Sequence, residues 1–219
     1  MATVKTTELK GVQEGIVVWT RTTSEGHDKT RCTVQLTTFA DGEPCFKPLL
    51  IFKGKGQRVP DREKRQYDPR VVVKFQENAW CNEEIMVSWH RNMWKKPNMF
   101  GQLGDRLLIY DVHRAQTTER VETILTQECQ MTLRLVPPGA TSKKNIDRLA
   151  TEHLSGKVIA GDRRVLFTKW VGTAWQETSR RVKETVNRSF VKCGISLPIS
   201  DSRDSEINID GLPDYRMCD

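Results

Sequence analysis

The feature that most restricts the fold of this chain is the run RLLIYD at residues 106–111, almost wholly apolar and ending abruptly in a carboxylate. A continuous apolar run of strand length predicts a strand buried on both faces. Thr117 or Thr118 then offers an N-cap to a helix in which Val121, Ile124, Leu125 and Glu128 recur at helical intervals, three of the four forming the buried side. TLRLVP (132–137) reads as a second short strand closed by a double proline, and PPGATS as a turn. Strand, acid, helix, strand in that order is a βαβ unit, whose right-handed crossover makes the two strands parallel. Asp111 is then expected at a carboxyl strand end, where open α/β sheets put their active groups.

The first third of the chain reads as β structure. Ile16 to Thr20 is a short β-branched and aromatic run, and RCTVQLTTF (31–39) alternates with Cys32, Val34 and Leu36 on one face. A turn at Ala40-Asp41-Gly42-Glu43 leads to CFKPLLIFK (45–53), predicting a hairpin whose second strand begins at or beyond Pro48, which lacks an amide donor. KGKGQRVPDREKRQYDPR (53–70) has basic charge, glycine and proline with almost no apolar anchor and reads as a surface loop; VVVKF (71–75) is strand-like. Asn82 can cap a helix with Glu83 and Glu84 in its first turn and Ile85, Trp89 and Met93 on one face, stopped by Pro97. Residues 165–192 are expected to be helical, with Val171, Trp175, Thr178, Val182, Val186 and Phe190 at steps of three and four and Gly194 as the breaker. Trp170 and Trp175 are read as core anchors, with base stacking as the alternative.

A length of 219 residues permits one substantial domain or two small ones, and the composition is that of an ordinary globular chain. No stretch approaches the roughly 20 apolar residues that span a bilayer, so no membrane partner is expected. The opening MATVKTTELKG has no apolar signal core, so a secretory route is not expected. Cys32, Cys45, Cys81, Cys129, Cys193 and Cys218 are scattered, with no CxxC or HxxxH pair, and read as reduced thiols rather than a disulfide frame or a zinc site.

Charge is more informative. The chain carries 35 Lys+Arg against 28 Asp+Glu, a net +7, which suggests an anionic partner. Residues 143–192 alone hold twelve bases and five acids, and 201–219 hold six acids and two bases, so a basic body ends in an acidic tail.

The chemistry-bearing motif is LLIYDVHRAQ (107–116). A strand-end carboxylate followed by His113 and Arg114 can ligate a divalent metal if a second carboxylate converges on it. Asp147 is the second carboxylate, with helix capping of 148–154 as its alternative role. His113 is either a phosphate-contacting group or a satisfied polar residue beside the sheet. GKGQR (54–58) lacks the spacing of a phosphate-binding GxxxxGK[ST] loop, and no GxSxG or HExxH occurs.

Five blocks, taken together, resemble one family: TELKGVQEGIVVWTRTTSEGHDKTRCTVQLTTFADGEPCFKPLLIFKGKG (7–56), MVSWHRNMW (86–94), LLIYDVHRAQTT (107–118), LRLVPPGATSK (133–143) and FTKWVGTAWQE to VNRSFVKCGIS (167–196). In sequence and order they look like the DDE endonuclease domain of pogo/Tigger/Jerky-type transposases and their domesticated relatives. The resemblance implies an α/β, RNase H-like mixed sheet flanked by helices, with a helical C-terminal region. It implies a partial DDE domain over 1–196 and an acidic tail over 197–219.

In that family three acidic residues bind two Mg²⁺ or Mn²⁺ ions and catalyse hydrolysis and strand transfer. Asp111 falls on the second acidic position. The third lies in a Gln-Pro-Leu-Asp run after the turn; here it reads Lys144-Asn145-Ile146-Asp147, one residue nearer the turn. Where members commonly carry a histidine past the second acid, this chain has Gln116. The first acid belongs to a central strand upstream of the segment like TELKG, and that strand is expected to be lacking, its place open unless Ile16 to Thr20 or another chain fills it. Glu14, Asp41 and Glu43 are the early acids that could replace it, with Asp41 better explained as the hairpin turn.

The reading that follows is a transposase-derived nuclear protein without catalytic activity or metal cofactor. It binds DNA without sequence preference through Lys143, Lys144, Arg163, Arg164, Arg180, Arg181, Lys183 and Arg188. Two alternatives stand beside it: a protein-interaction domain, including self-association, and an active endonuclease using Mg or Mn at Asp111 and Asp147.

Overall fold

The computed structural model describes residues 14–22, 32–42, 46–94, 106–111, 115, 117–136, 159–197 and 203–208. Its centre is a six-stranded sheet built from β1 (Glu14–Thr22), β2 (Cys32–Phe39), β3 (Leu49–Lys53), β4 (Val72–Gln76), β5 (Arg106–Asp111) and β6 (Met131–Val136), in the order β4-β3-β2-β1-β5-β6. Strand β2 is antiparallel to β1 and β3, whereas the pairs β1–β5, β3–β4 and β5–β6 are parallel. Five strands therefore run one way and β2 alone runs back, so the carboxyl ends of β1, β3, β4, β5 and β6 share one edge.

The period-two side-chain pattern divides the core into two layers. On β3, Leu49 and Ile51 join one apolar cluster, and Leu50 and Phe52 the other. The first layer is roofed by α2 (Glu83–Trp94) and by α3 (Glu119–Thr123), which continues as one π turn through Ile124–Glu128. Here Phe46 meets Phe39, Trp89 and Trp94 edge-on at centroid distances of 5.2, 5.7 and 4.5 Å, the arrangement that ring quadrupoles favour. The second layer is covered by α4 (Ala160–Lys192), whose Phe167 and Val171 pack on Cys32, Val34, Leu36, Leu50, Phe52, Val71, Val73 and Phe75. This mixed sheet with helices on both faces and a helical C-terminal region is an RNase H-like α/β fold.

The local reasons are those the residues suggest. Asn82 Oδ1 accepts from the Ile85 amide at 3.0 Å and Thr118 Oγ1 from the Val121 amide at 3.4 Å, each starting a helix. Helix α4 ends at Gly194, whose φ of +74° lets the Ile195 amide turn back to the Phe190 carbonyl at 3.0 Å. Strands β5 and β6 enclose α3 and run parallel, with Asp111 the last residue of β5. Val121, Ile124 and Leu125 are buried, and Glu128 instead pairs with Arg91 at 2.8 Å. Cys32, Cys81, Cys129 and Cys193 are free thiols, the first three buried; Cys45 and Cys218 lie outside the described residues.

Three expectations change. The central place is not open: β1 fills it from within the chain, pairing with β2 from Gly15 to Thr22 and with β5 from Glu14 to Val17. Unpaired edges flanking a missing centre would leave amides and carbonyls without partners, and β1 satisfies them. Strand β5 is buried on one face only, through Leu108 and Tyr110; Leu107 and Ile109 are half-buried because the apolar layer under α4 lies against β2, β3 and β4. On α4 Thr178 is exposed, and the buried line is Val165, Thr168, Gly172, Ser179 and Phe190. Small and hydroxyl residues take part in it, Thr168 and Gly172 lying against Asp68 and Arg70, which a search for apolar spacing does not find. Trp170 and Trp175 are half-buried, and the Trp175 indole donates to the Phe46 carbonyl at 3.3 Å. Pro97 lies outside the described residues.

Candidate functional site

Asp111 closes β5 at the edge where five strands end. A two-metal centre there needs carboxylates from neighbouring strands at the same level. In the parallel pairing Val17 stands beside Tyr110, so the next residue of β1, Val18, comes level with Asp111. The rest of β1 reads Val18-Trp19-Thr20-Arg21-Thr22 and contains no acid. Glu14, the acid of β1, pairs with Leu107, four residues back and about 13 Å away at 3.3 Å per residue. Asp41 is farther: β2 ends at Phe39 opposite Gly15, which is level with Leu108, so Asp41 belongs to the amino end of β5. None of these acids stands in for the family's first carboxylate. Glu43, His113, Arg114, Gln116 and Asp147 lie outside the described residues. Among the described residues no group of three or more His, Cys, Asp or Glu side chains converges as a metal site. The donor set for a pair of divalent ions is not assembled there.

The basic residues expected to contact nucleic acid do not form one patch. Lys143 and Lys144 lie outside the described residues. Arg163 and Arg164 sit in the first turns of α4, and Arg180, Arg181, Lys183 and Arg188 are exposed farther along it. From Arg164 to Arg188 the helix rises about 36 Å at 1.5 Å per residue. Its late turns meet the β2–β3 connection, where the Asn187 amide donates to the Ala40 carbonyl at 2.9 Å. Its first turns meet α1 (Asp61–Lys64), which follows β3 at the carboxyl edge. The two groups are therefore at opposite edges of the sheet.

Arg164 is committed to structure. Its Nε and Nη2 donate to the two oxygens of Glu63 at 2.7 and 2.9 Å, and the Tyr67 hydroxyl donates to Glu63 Oε1 at 2.6 Å. The guanidinium holds the Glu63 carboxyl below its ordinary pKa, and burial, with Glu63 beside it, raises that of Tyr67. Gly161 permits this approach, since a Cβ there would stand 2.7 Å from Glu63 Oε2. A second clamp is nearby. Arg70 donates through Nε and Nη2 to buried Asp68 at 2.9 and 2.7 Å, and through Nη1 and Nη2 to Gln176 and Thr173 of α4 at 2.7 and 2.9 Å. The Asp68 amide donates to buried Thr168 Oγ1 at 3.1 Å. The Arg70 hydrogen bonds lower the Asp68 pKa.

These clamps pin residues 63–70 to α4 and turn the second half of an apparent surface loop into a fixed platform. Sequence reasoning singled out the 143–192 charge and passed over this loop, although its own excess of bases was visible.

Searches of curated proteins and of solved structures gave no match. The sequence profile described as DDE superfamily endonuclease matches residues 29–146, more than half of the 219 residues. That span carries β2 to β6, Asp111 included, so the profile and the sheet agree on the same piece of chain. The chain belongs to the DDE superfamily endonuclease family of pogo/Tigger/Jerky-type transposase domains.

Proposed function

We propose that this chain is a transposase-derived protein of the nucleus that binds DNA through its phosphates, without sequence preference and without cutting it. The observation that carries the reading is the β1–β5 register, which brings Val18 rather than a carboxylate level with Asp111. Two divalent ions at a phosphodiester need several converging oxygens, and one missing carboxylate leaves an ion weakly held. The net charge of +7 and the exposed arginines supply what remains useful, counterion-releasing contact with a polyanion. No helix among the described residues is long and apolar enough to cross a membrane.

A salt titration of the intact protein against unrelated DNA duplexes tests this. Micromolar binding that is alike for all sequences and falls linearly with log salt is expected. Absence of binding at low salt sinks the reading and favours a domain retained for protein contacts.

A further inference from the structure

Resting on that reading, we infer that DNA is held by the platform after β3, through Arg58, Arg62 and Arg65 at the carboxyl edge of the sheet, and not by the late turns of α4. The topology places this platform and Asp111 on one edge, because β3 and β5 both run parallel to β1. Three strand spacings separate β3 from β5 in the sheet order, about 14 Å at 4.8 Å each. A duplex lying along the edge presents about eight charges over that distance, at one per 1.7 Å.

The charge of the platform is largely unspent. Lys55, Arg58, Arg62, Lys64 and Arg65 are exposed, against the exposed acids Asp61 and Glu77, an excess of three positive charges. Glu63 and Asp68 do not offset it, since they are consumed by Arg164 and Arg70. Lys55 pairs with Glu77 at 2.9 Å and Lys64 with Asp61 at 3.3 Å. Arg58, Arg62 and Arg65 have no ion pair among the described residues.

The platform is also oriented. Glu63 and Tyr67, four residues apart, face α4 through their mutual hydrogen bond and Arg164. Arg62 and Arg65, three apart at the short helix α1 and its C-cap, share a different side. Gly56, at φ +72°, lets the chain pass against Phe75, where a Cβ would lie 2.8 Å from the ring. The arginines are thus presented by a backbone held at both ends, which lowers the entropy lost when they contact phosphate. The exposed bases at the end of α4 sit at the opposite edge, against the β2–β3 connection.

The test is the salt dependence of binding to a short labelled DNA duplex between about 50 and 200 mM salt, read by anisotropy. The proteins compared are the full chain, R58Q/R62Q/R65Q and R180Q/R181Q/R188Q. Loss of three phosphate contacts lowers the log–log slope by about 2.7, at 0.9 per contact, and the affinity at least about tenfold at low salt. The α4 variant is expected to keep the parent slope. As a check that does not remove a charge, exposed Gln57→Arg adds one contact and steepens the slope by about 0.9. A platform variant that stays folded by circular dichroism and binds with the parent slope overturns the inference while leaving DNA binding itself standing; so does a Q57R slope that does not move. No binding by the parent protein overturns the DNA-binding reading and this inference together.

Discussion

Replacing His90 by Asn should remove most of the acid sensitivity that this protein shows above pH 4.5. His90 is 2% exposed, in the layer between α2 and the sheet, and its Nδ1 accepts from the Trp94 indole at 3.0 Å. That bond requires an unprotonated Nδ1, and desolvation pushes the imidazole down to about 3 from 6.5. The folded pKa is therefore the lower one. The unfolded chain binds the proton first as pH falls, so stability is complete above 6.5 and is lost progressively toward 3. Between about pH 7.5 and 4.5 the loss comes to about 2 to 3 kcal/mol. Glu63 and Asp68, with lowered pKa values, add their losses from the ordinary carboxylate range downward. Asn can offer its Oδ1 where Nδ1 stood, keeping an acceptor for Trp94 but nothing to protonate; its smaller volume costs a pH-independent offset. Urea midpoints measured across that pH range for both proteins give the comparison. The parent should lose about 2 to 3 kcal/mol relative to H90N. Parallel profiles would refute the argument that His90 is held neutral.

Two substitutions probe the packing. Gly42→Ala should destabilise by more than about 2 kcal/mol in urea melts, because φ is +76° and the new Cβ would lie 2.4 Å from the Lys183 carbonyl oxygen. Thr37→Val should raise stability by about 1 kcal/mol, because Thr37 Oγ1 is buried without a hydrogen-bond partner among the described residues and the isosteric methyl removes that desolvation cost; a lower urea midpoint would show that the hydroxyl is satisfied.

The β5–α3–β6 unit was legible because its signals are local: an apolar run, a threonine cap, apolar residues at helical spacing and a double proline. The destination of β1 was not, since a β-branched run fixes strand character but says nothing about which neighbours it pairs with. Only the register shows that Ile16 lies against Ile109 and that β1 brings no acid level with Asp111. The packed side of α4 was legible in Val171 and Phe190 but not in Thr168, Gly172 and Ser179, which are buried without being apolar. The charge count over 143–192 pointed to Arg164, whose charge is spent on Glu63 across 101 residues of sequence. A linear count cannot see such pairing, and it overlooked the platform where the pairing leaves three arginines exposed.

The most direct measurement of the central claim is a supercoiled-plasmid gel with Mg²⁺ or Mn²⁺, comparing the parent protein with D111A. The account predicts that both proteins retard the plasmid and that neither nicks it above the other. Metal-dependent nicking by the parent that disappears in D111A would contradict the account, and would require a carboxylate to reach Asp111 from somewhere other than the strand beside it.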